Sequence, residues 1–275
     1  MENSTERNDE KAATSSLQRS FALIRALAAS PEGGERVTQL AKDVGLTQGT
    51  AHRLLKALMA EGMVEQDERT KRYRLSLELF AIAARAQDRG NFRDLTRPAL
   101  LRLSASLRDT VFLLARSGFD AVCLDRTEGP FPIRSFTGDI GGRVALGVGQ
   151  GSLAILAFLP EAEREEVIRF NLPRMRDYQM VDEVYLRTEI ARTRELGYTM
   201  TNTGVLEGMA GLAVPVLDRN GRAVAALSIG TLADRLKAER LPAAVELLRR
   251  EANAIGPMIN PFDPVLHRPA QSFIR

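Results

Sequence analysis

Gln48, Thr50, His52, Arg53 and Lys56 follow Thr47 at a spacing that gathers hydrogen-bond donors and acceptors along one side of a helix. Ala51, Leu54, Leu55 and Leu58 recur at i, i+3, i+4 and i+7 and give that helix an apolar face to bury. Glutamine and arginine can form paired hydrogen bonds to a base edge, threonine offers a hydroxyl, and lysine supplies a point charge for phosphate. Side chains of this kind recognise a partner without breaking its bonds. The usual means of catalysis are scarce: Cys123 is the only cysteine, and His52 and His267 are the only histidines, far apart in the chain. A hydrolytic triad has few candidates, and a cysteine cluster for zinc is excluded. No catalytic residue, metal ligand or cofactor is assigned. Cys123 lies in LARSGFDAVCLDR, a strand-like stretch that reads as core.

The elements that must position these side chains are legible upstream and downstream. A short helix precedes them, with Thr38 as its expected cap and Leu40, Ala41 and Val44 facing inward. Gly45 suits the left-handed residue that ends it, Leu46 plugs the turn, and Thr47 is placed to cap the next helix, which Gly62 ends. Two short helices across a glycine turn, the second polar and basic on its free side, are what a major-groove reader needs. A plain helical hairpin with a solvated face remains the alternative. Met63–Gln66 and Lys71–Leu75 then bracket the turn at Asp67–Thr70 as a basic hairpin, or wing, whose Arg69, Lys71 and Arg72 suit a flanking phosphate or minor groove. An upstream helix is expected to bury Leu17, Phe21, Ile24 and Ala28. Thr38, Thr47, Gln48, Thr50, His52, Arg53, Lys56, Arg69, Lys71 and Arg72 form the expected contact set for double-stranded DNA. Charge agrees: ten basic and seven acidic residues between Ser15 and Leu75 account for the whole formal excess of +3 in the 275-residue chain.

Beyond the hairpin, residues from about Leu77 to Arg108 read as helix-rich, with Gly90 and Pro98 as interruptions. From Thr110 to Gly230, β-branched runs alternate with helical stretches, an α+β signature, and an amphipathic helix follows near Leu241–Ala254. No apolar run approaches the ~18 residues of a membrane span. The polar N-terminus reads as a leader rather than a secretion signal, so the expected location is cytoplasmic. In Gly147–Ser152, leading into an apolar helix over Leu153–Leu159, glycines permit close backbone approach and helix-start amides favour an anion. A carboxylate on the amides of Gly149 to Gly151 fits. A purely structural turn competes with this reading, whereas the lysine of a nucleotide phosphate loop is missing.

SLQRSFALIRALAASP and LTQGTAHRLLKALMAEGMVEQDERTKRYRLS, followed by GGRVALGVGQGSLAILAFLP and IARTRELGYTMTNTGVLEGMAGLAVPVLDRNGRAVAALSIG, strongly resemble the IclR family of bacterial transcription regulators in sequence and order. The resemblance implies a winged helix-turn-helix, a linker helix and a GAF-like effector domain whose antiparallel sheet is flanked by helices. The corresponding spans here are a leader at 1–14, the DNA-binding domain at 15–76, the linker at 77–91, the effector domain at 92–260 and a tail at 261–275. It also implies homodimers or dimers of dimers, operator DNA, and a small carboxylate or aromatic acid as effector. By the family's pattern the effector residues are Ile133, Phe136, Val144, Gly149, Gln150, Gly151, Thr201, Met209, Gly211, Ser228 and Gly230. Many relatives carry larger or hydroxyl-bearing residues where Gly147, Gly149, Gly211 and Gly230 stand, so a roomier pocket relying on backbone donors is expected. An enzyme with an accessory DNA-binding module, and a second half that senses a nucleotide or a protein, are the competing readings.

Overall fold

The computed structural model describes residues 16–31, 33–79, 81–82, 92–130, 140–175, 182–201 and 208–258. The chain divides into two compact units, Met1–Arg89 and Gly90–Arg275.

The first unit contains α1 (16–28), α2 (Val37–Val44), α3 (Gln48–Ala60) and a hairpin of β1 (Val64–Gln66) and β2 (Tyr73–Leu75). The buried residues Leu40, Ala41, Ala51, Leu54, Leu55 and Leu58 are those set by helical spacing, and Leu23, Leu27, Val64 and Tyr73 complete their core. On α1 the outcome differs. Leu17 and Phe21 are exposed at 60% and 48%, Ala28 is exposed and Ile24 is half-buried, whereas Leu23 and Leu27 point into the core. The helix carries two apolar faces, and periodicity alone does not say which one the domain buries. A second correction concerns α2: its N-cap is Arg36, and Thr38 sits inside the first turn, exposed, with no capping bond. Gly45, at φ 69°, ends α2 in the left-handed conformation.

The second unit is built on a six-stranded antiparallel sheet in the order β5-β4-β3-β8-β7-β6. Its strands are β3 (Thr110–Ser117), β4 (Asp120–Thr127), β5 (Arg143–Ala145), β6 (Thr199–Thr201), β7 (Met209–Leu217) and β8 (Ala223–Leu232). On one face lie α4 (Phe92–Leu107) and α8 (Leu241–Ile255), packing Leu100, Leu103 and Leu248 against Val111, Leu113, Val214 and Ile229. On the other lie α5 (Gln150–Ala157), α6 (Glu161–Asn171) and α7 (Glu183–Leu196), packing Leu153, Leu156, Val167 and Leu186 over Phe112, Leu114 and Ala226. Burial on both faces explains why the central strands read as continuous apolar runs rather than alternating ones. Pro98, expected as an interruption, lies inside the continuous α4 on its exposed side. It cannot donate to the Asp94 carbonyl, and Asp94 and Pro98 are both exposed residues. Nearby, the Thr96 hydroxyl bonds the Phe92 and Arg93 carbonyls at 2.9 and 3.0 Å.

Buried carboxylates lock the corners of this unit. Asp109 is fully buried at the start of β3 and accepts from Thr231, Arg235 and Arg240 at 2.9, 3.0 and 2.5 Å. Asp125, also fully buried, accepts from Arg97 at 2.9 Å and from the Arg126 amide at 2.8 Å. None of the described helices is long and apolar enough to cross a membrane. Among the described residues no group of histidine, cysteine, aspartate and glutamate is placed to hold a metal ion.

Candidate nucleic-acid interface and effector recess

The Thr47 side chain accepts from the Thr50 amide at 3.3 Å and starts α3 as its spacing predicts. Its hydroxyl also donates to Thr50 Oγ1 at 2.9 Å, so both threonines are partly engaged in the cap. Gln48, His52, Arg53 and Lys56 are all exposed along the outer face of α3. Among the described residues none of the four has an intrachain side-chain partner, which leaves their donors and acceptors available to an external ligand.

The wing tip is organised by Asp67, whose Oδ1 accepts from the Thr70 amide, the Thr70 hydroxyl and the Arg69 amide at 2.6, 2.8 and 3.1 Å. These bonds favour the ionised carboxylate and hold its pKa below the usual carboxylate value, the Thr70 amide contributing most. Lys71 follows in the left-handed region at φ 55°. Arg69 and Lys71 are both exposed. Arg72 is different: it donates to the Gly34 carbonyl at 2.9 Å and lies 4.0 Å from Glu35. Of the expected contact set, Arg72 is therefore committed to joining the wing to the loop before α2. The same loop pairs through Glu35 with Tyr73, and a side chain at Gly34 would strike the Tyr73 carbonyl.

In the second unit, cross-strand register gathers the candidate effector residues. Thr201 pairs with Gly211, Gly211 with Gly230, and Gly230 with Thr110, one row across four strands. The adjacent row on the same face is Thr199, Ala213, Ser228 and Phe112. The first turn of α5 lies over these rows: a Cβ on Gly151 would overlap Leu114 and approach Ser228, and one on Gly211 would meet Gln150 Cγ at 2.8 Å. On this face Gly149, Gln150, Met209, Gly211 and Gly230 keep partial exposure while Ala213 and Ser228 are buried.

The helix begins three residues earlier than its sequence suggests, at Gln150, with Gly149 (φ 77°) as an N-cap that offers no side-chain bond. The first-turn amides of a helix have no acceptor within it. Ser152 fixes the preceding loop: its hydroxyl accepts from the Gly147 amide at 3.2 Å and donates to the Val148 carbonyl at 2.5 Å.

The expectation of a roomier pocket does not hold uniformly. A Cβ on Gly147 would meet Met175 and Leu186, at 2.7 and 3.0 Å, and Leu114 fills the space beside Gly151. Gln150 occupies the space over Gly211, whereas the neighbourhood of Gly149 stays open. Val144 pairs with Ala121, which pairs with Arg116, two residues along β3 from Leu114, and it is buried in the same cluster as Leu114 and Val148. Ile133 and Phe136 lie outside the described residues, as does the side chain of Thr201. Sequence reasoning missed Leu114 and Thr199. Their apolar or β-branched character is ordinary for strands, and only the register puts them beneath α5. The pair of glycines interrupting two apolar strands, Gly211 and Gly230, was the signal available.

A model of the IclR helix-turn-helix domain matches residues 16–68, and one of the bacterial transcriptional regulator IclR C-terminal domain matches residues 84–256. The chain is 28% identical over 237 residues to the probable transcriptional regulator SauR of Cupriavidus necator, covering 86% of this chain and 93% of that protein. It is 28% identical over 241 residues to the HTH-type transcriptional repressor AllR of Escherichia coli K12, covering 87% and 88%. Its fold is similar to an IclR homologue of Microbacterium hydrocarbonoxydans crystallised with 4-hydroxybenzoate, at TM-score 0.71 and 23% identity, covering 88% of this chain and 97% of the other.

Proposed function

The chain belongs to the IclR family of transcription regulators, with a DNA-binding N-terminal domain and a ligand-binding C-terminal domain, and from this premise we propose that a small organic acid, aromatic acids included, modulates its affinity for an operator. The observation that carries the DNA-reading surface is the outer face of α3, where Gln48, His52, Arg53 and Lys56 stand exposed. A helix of this kind enters the major groove, with Gln48 and Arg53 at base edges and Lys56 on phosphate. Arg69 and Lys71 of the wing contact the flanking backbone. Thr47 and Thr50 secure the helix start, and Thr38 lies on the exposed side of α2.

The acid binds in the recess under the first turn of α5. Its carboxylate rests on the amides of Gln150 and Gly151, where unpaired N–H groups and the helix dipole favour negative charge. The neighbour crystallised with 4-hydroxybenzoate supports an aromatic acid as one candidate. The functional unit is a homodimer, itself able to pair into a dimer of dimers. Leu17 and Phe21 on α1, with Leu77 and Ile82 exposed at 78% and 47%, form apolar surface in the first unit that a second copy covers. Two recognition helices then read half-sites whose centres lie about one helical turn, or a multiple of it, apart. An acid that binds one dimer arrangement better than another changes that spacing, and thereby operator affinity, by its differential affinity alone.

Gel-shift titration with the chain's own promoter region, with and without Arg53→Ala, tests the DNA-reading surface. The variant is expected to weaken specific binding by about 1–3 kcal/mol while leaving binding to unrelated DNA intact. Equal loss on both DNAs would remove Arg53 from base reading. A thermal-shift panel of carboxylates tests the effector reading, which fails if no acid stabilises the protein.

A further inference from the structure

Gln150 carries an anomaly. Its Oε1 is buried and accepts no hydrogen bond. A buried carboxamide end without a partner costs free energy that an apolar side chain of the same shape would not. The neighbouring hydroxyls are spent elsewhere. Thr199 donates to the Gln150 backbone carbonyl at 3.1 Å, Ser228 to the Leu212 carbonyl at 3.3 Å, and Ser152 to the Val148 carbonyl. The side chain is nevertheless held in place, because its Cγ packs on the bare face of Gly211, where any Cβ would collide with it. Backbone and stem are fixed, and Oε1 is left without a donor in the first turn of α5.

We infer that Gln150 is the specificity-determining residue of the effector site and that the effector is a hydroxy acid, whose hydroxyl completes the Gln150 carboxamide while its carboxylate takes the helix amides. This rests on the effector reading above. A hydroxyl both donates and accepts, so it satisfies the carboxamide in either orientation of its oxygen and nitrogen. An acid lacking the hydroxyl leaves the carboxamide unpaired in the complex as well, and the site discriminates against it for that reason.

The test compares paired acids on the full chain, each with and without a hydroxyl: propionate with lactate, phenylacetate with mandelate, and benzoate with the three hydroxybenzoates. Binding is read by calorimetry and thermal shift in the parent protein and in Gln150→Leu. In the parent, the hydroxy member of at least one pair binds about tenfold tighter. In Gln150→Leu that preference disappears. The variant without ligand melts about 2–4 °C higher, because a buried oxygen without a donor has been removed. Binding without a hydroxyl preference, or a preference that survives the substitution, overturns the inference and leaves the effector reading standing. A lower melting temperature for ligand-free Gln150→Leu also overturns it, since it would show that the carboxamide has a structural partner. If no acid of either kind binds, the effector reading itself falls and the inference with it.

Discussion

The starts of α3 and α5 solve the same problem in opposite ways. Both follow a turn and must deal with amides that have no acceptor inside the helix. At α3 a side chain does it: Thr47 caps the Thr50 amide, and the helix buries one stripe and exposes the other. At α5 no side chain caps the first turn, and every residue from Gly151 to Ala157 is buried. The first arrangement suits a surface that meets a large polyanion from outside. The second suits a recess whose shape is defined by whatever lies opposite. A recognition surface can therefore be read from one strand of sequence, whereas a recess is shared among elements distant in sequence.

The comparison breaks most visibly through the cores. Leu55→Ala in α3 removes a fully buried side chain, and loss of roughly 3 kcal/mol is expected in the first unit. Denaturation followed by probes in each unit should show the early transition confined to the DNA-binding half, with operator binding lost at temperatures the second half survives. Gly151→Ala is the converse change, adding a methyl where Leu114 already sits. Overpacking should cost the second unit about 2 kcal/mol, net of the gain in helix propensity. If that variant is as stable as the parent, the close seating of α5 on β3 is wrong.

Smaller effects sharpen the division of labour within the wing. Lys71→Ala should reduce the slope of log affinity against log salt by about one, with equal weakening on all DNA sequences. Arg72→Ala should leave that slope unchanged and lower the stability of the first unit by about 1 kcal/mol, because Arg72 is bonded to Gly34. A reduced slope in both variants would return Arg72 to the DNA-contacting set. The smallest effect is in pH. Asp67 has a lowered pKa in the folded wing, so its contribution is complete above its unfolded value and is lost as pH falls through the folded one. The Thr70 amide resonance should accordingly report a loosened wing tip only at acid pH, and should be insensitive to pH in Asp67→Ala.

Much of the first unit was legible because its signals are local. The leucine stripe of α3, the cap at Thr47 and the turn at Gly45 each follow from residues within one helical turn of one another. The exception on α1 is instructive. Leu17, Phe21, Ile24 and Ala28 have the spacing of a buried face, yet Leu23 and Leu27 are the residues that meet the core. Both sets satisfy the same period, and the choice between them belongs to α3 and the hairpin. Arg72 is similar, since nothing in its neighbours along the chain points to Gly34, thirty-eight positions away.

The sequence by itself determined the order of elements, the polar face of α3, the glycine-opened approach to α5 and the family to which these belong. Those features depend on residue type and short spacing, which act within a turn or two of the chain. Only the tertiary structure decided that Gly211 and Gly230 lie side by side, that Gln150 rests on one of them with its Oε1 unpaired, and that Val144 joins the cluster of Leu114 and Val148. Strand register is the reason: a shift of one residue turns every side chain to the opposite face, and no local signal in these apolar strands fixes it.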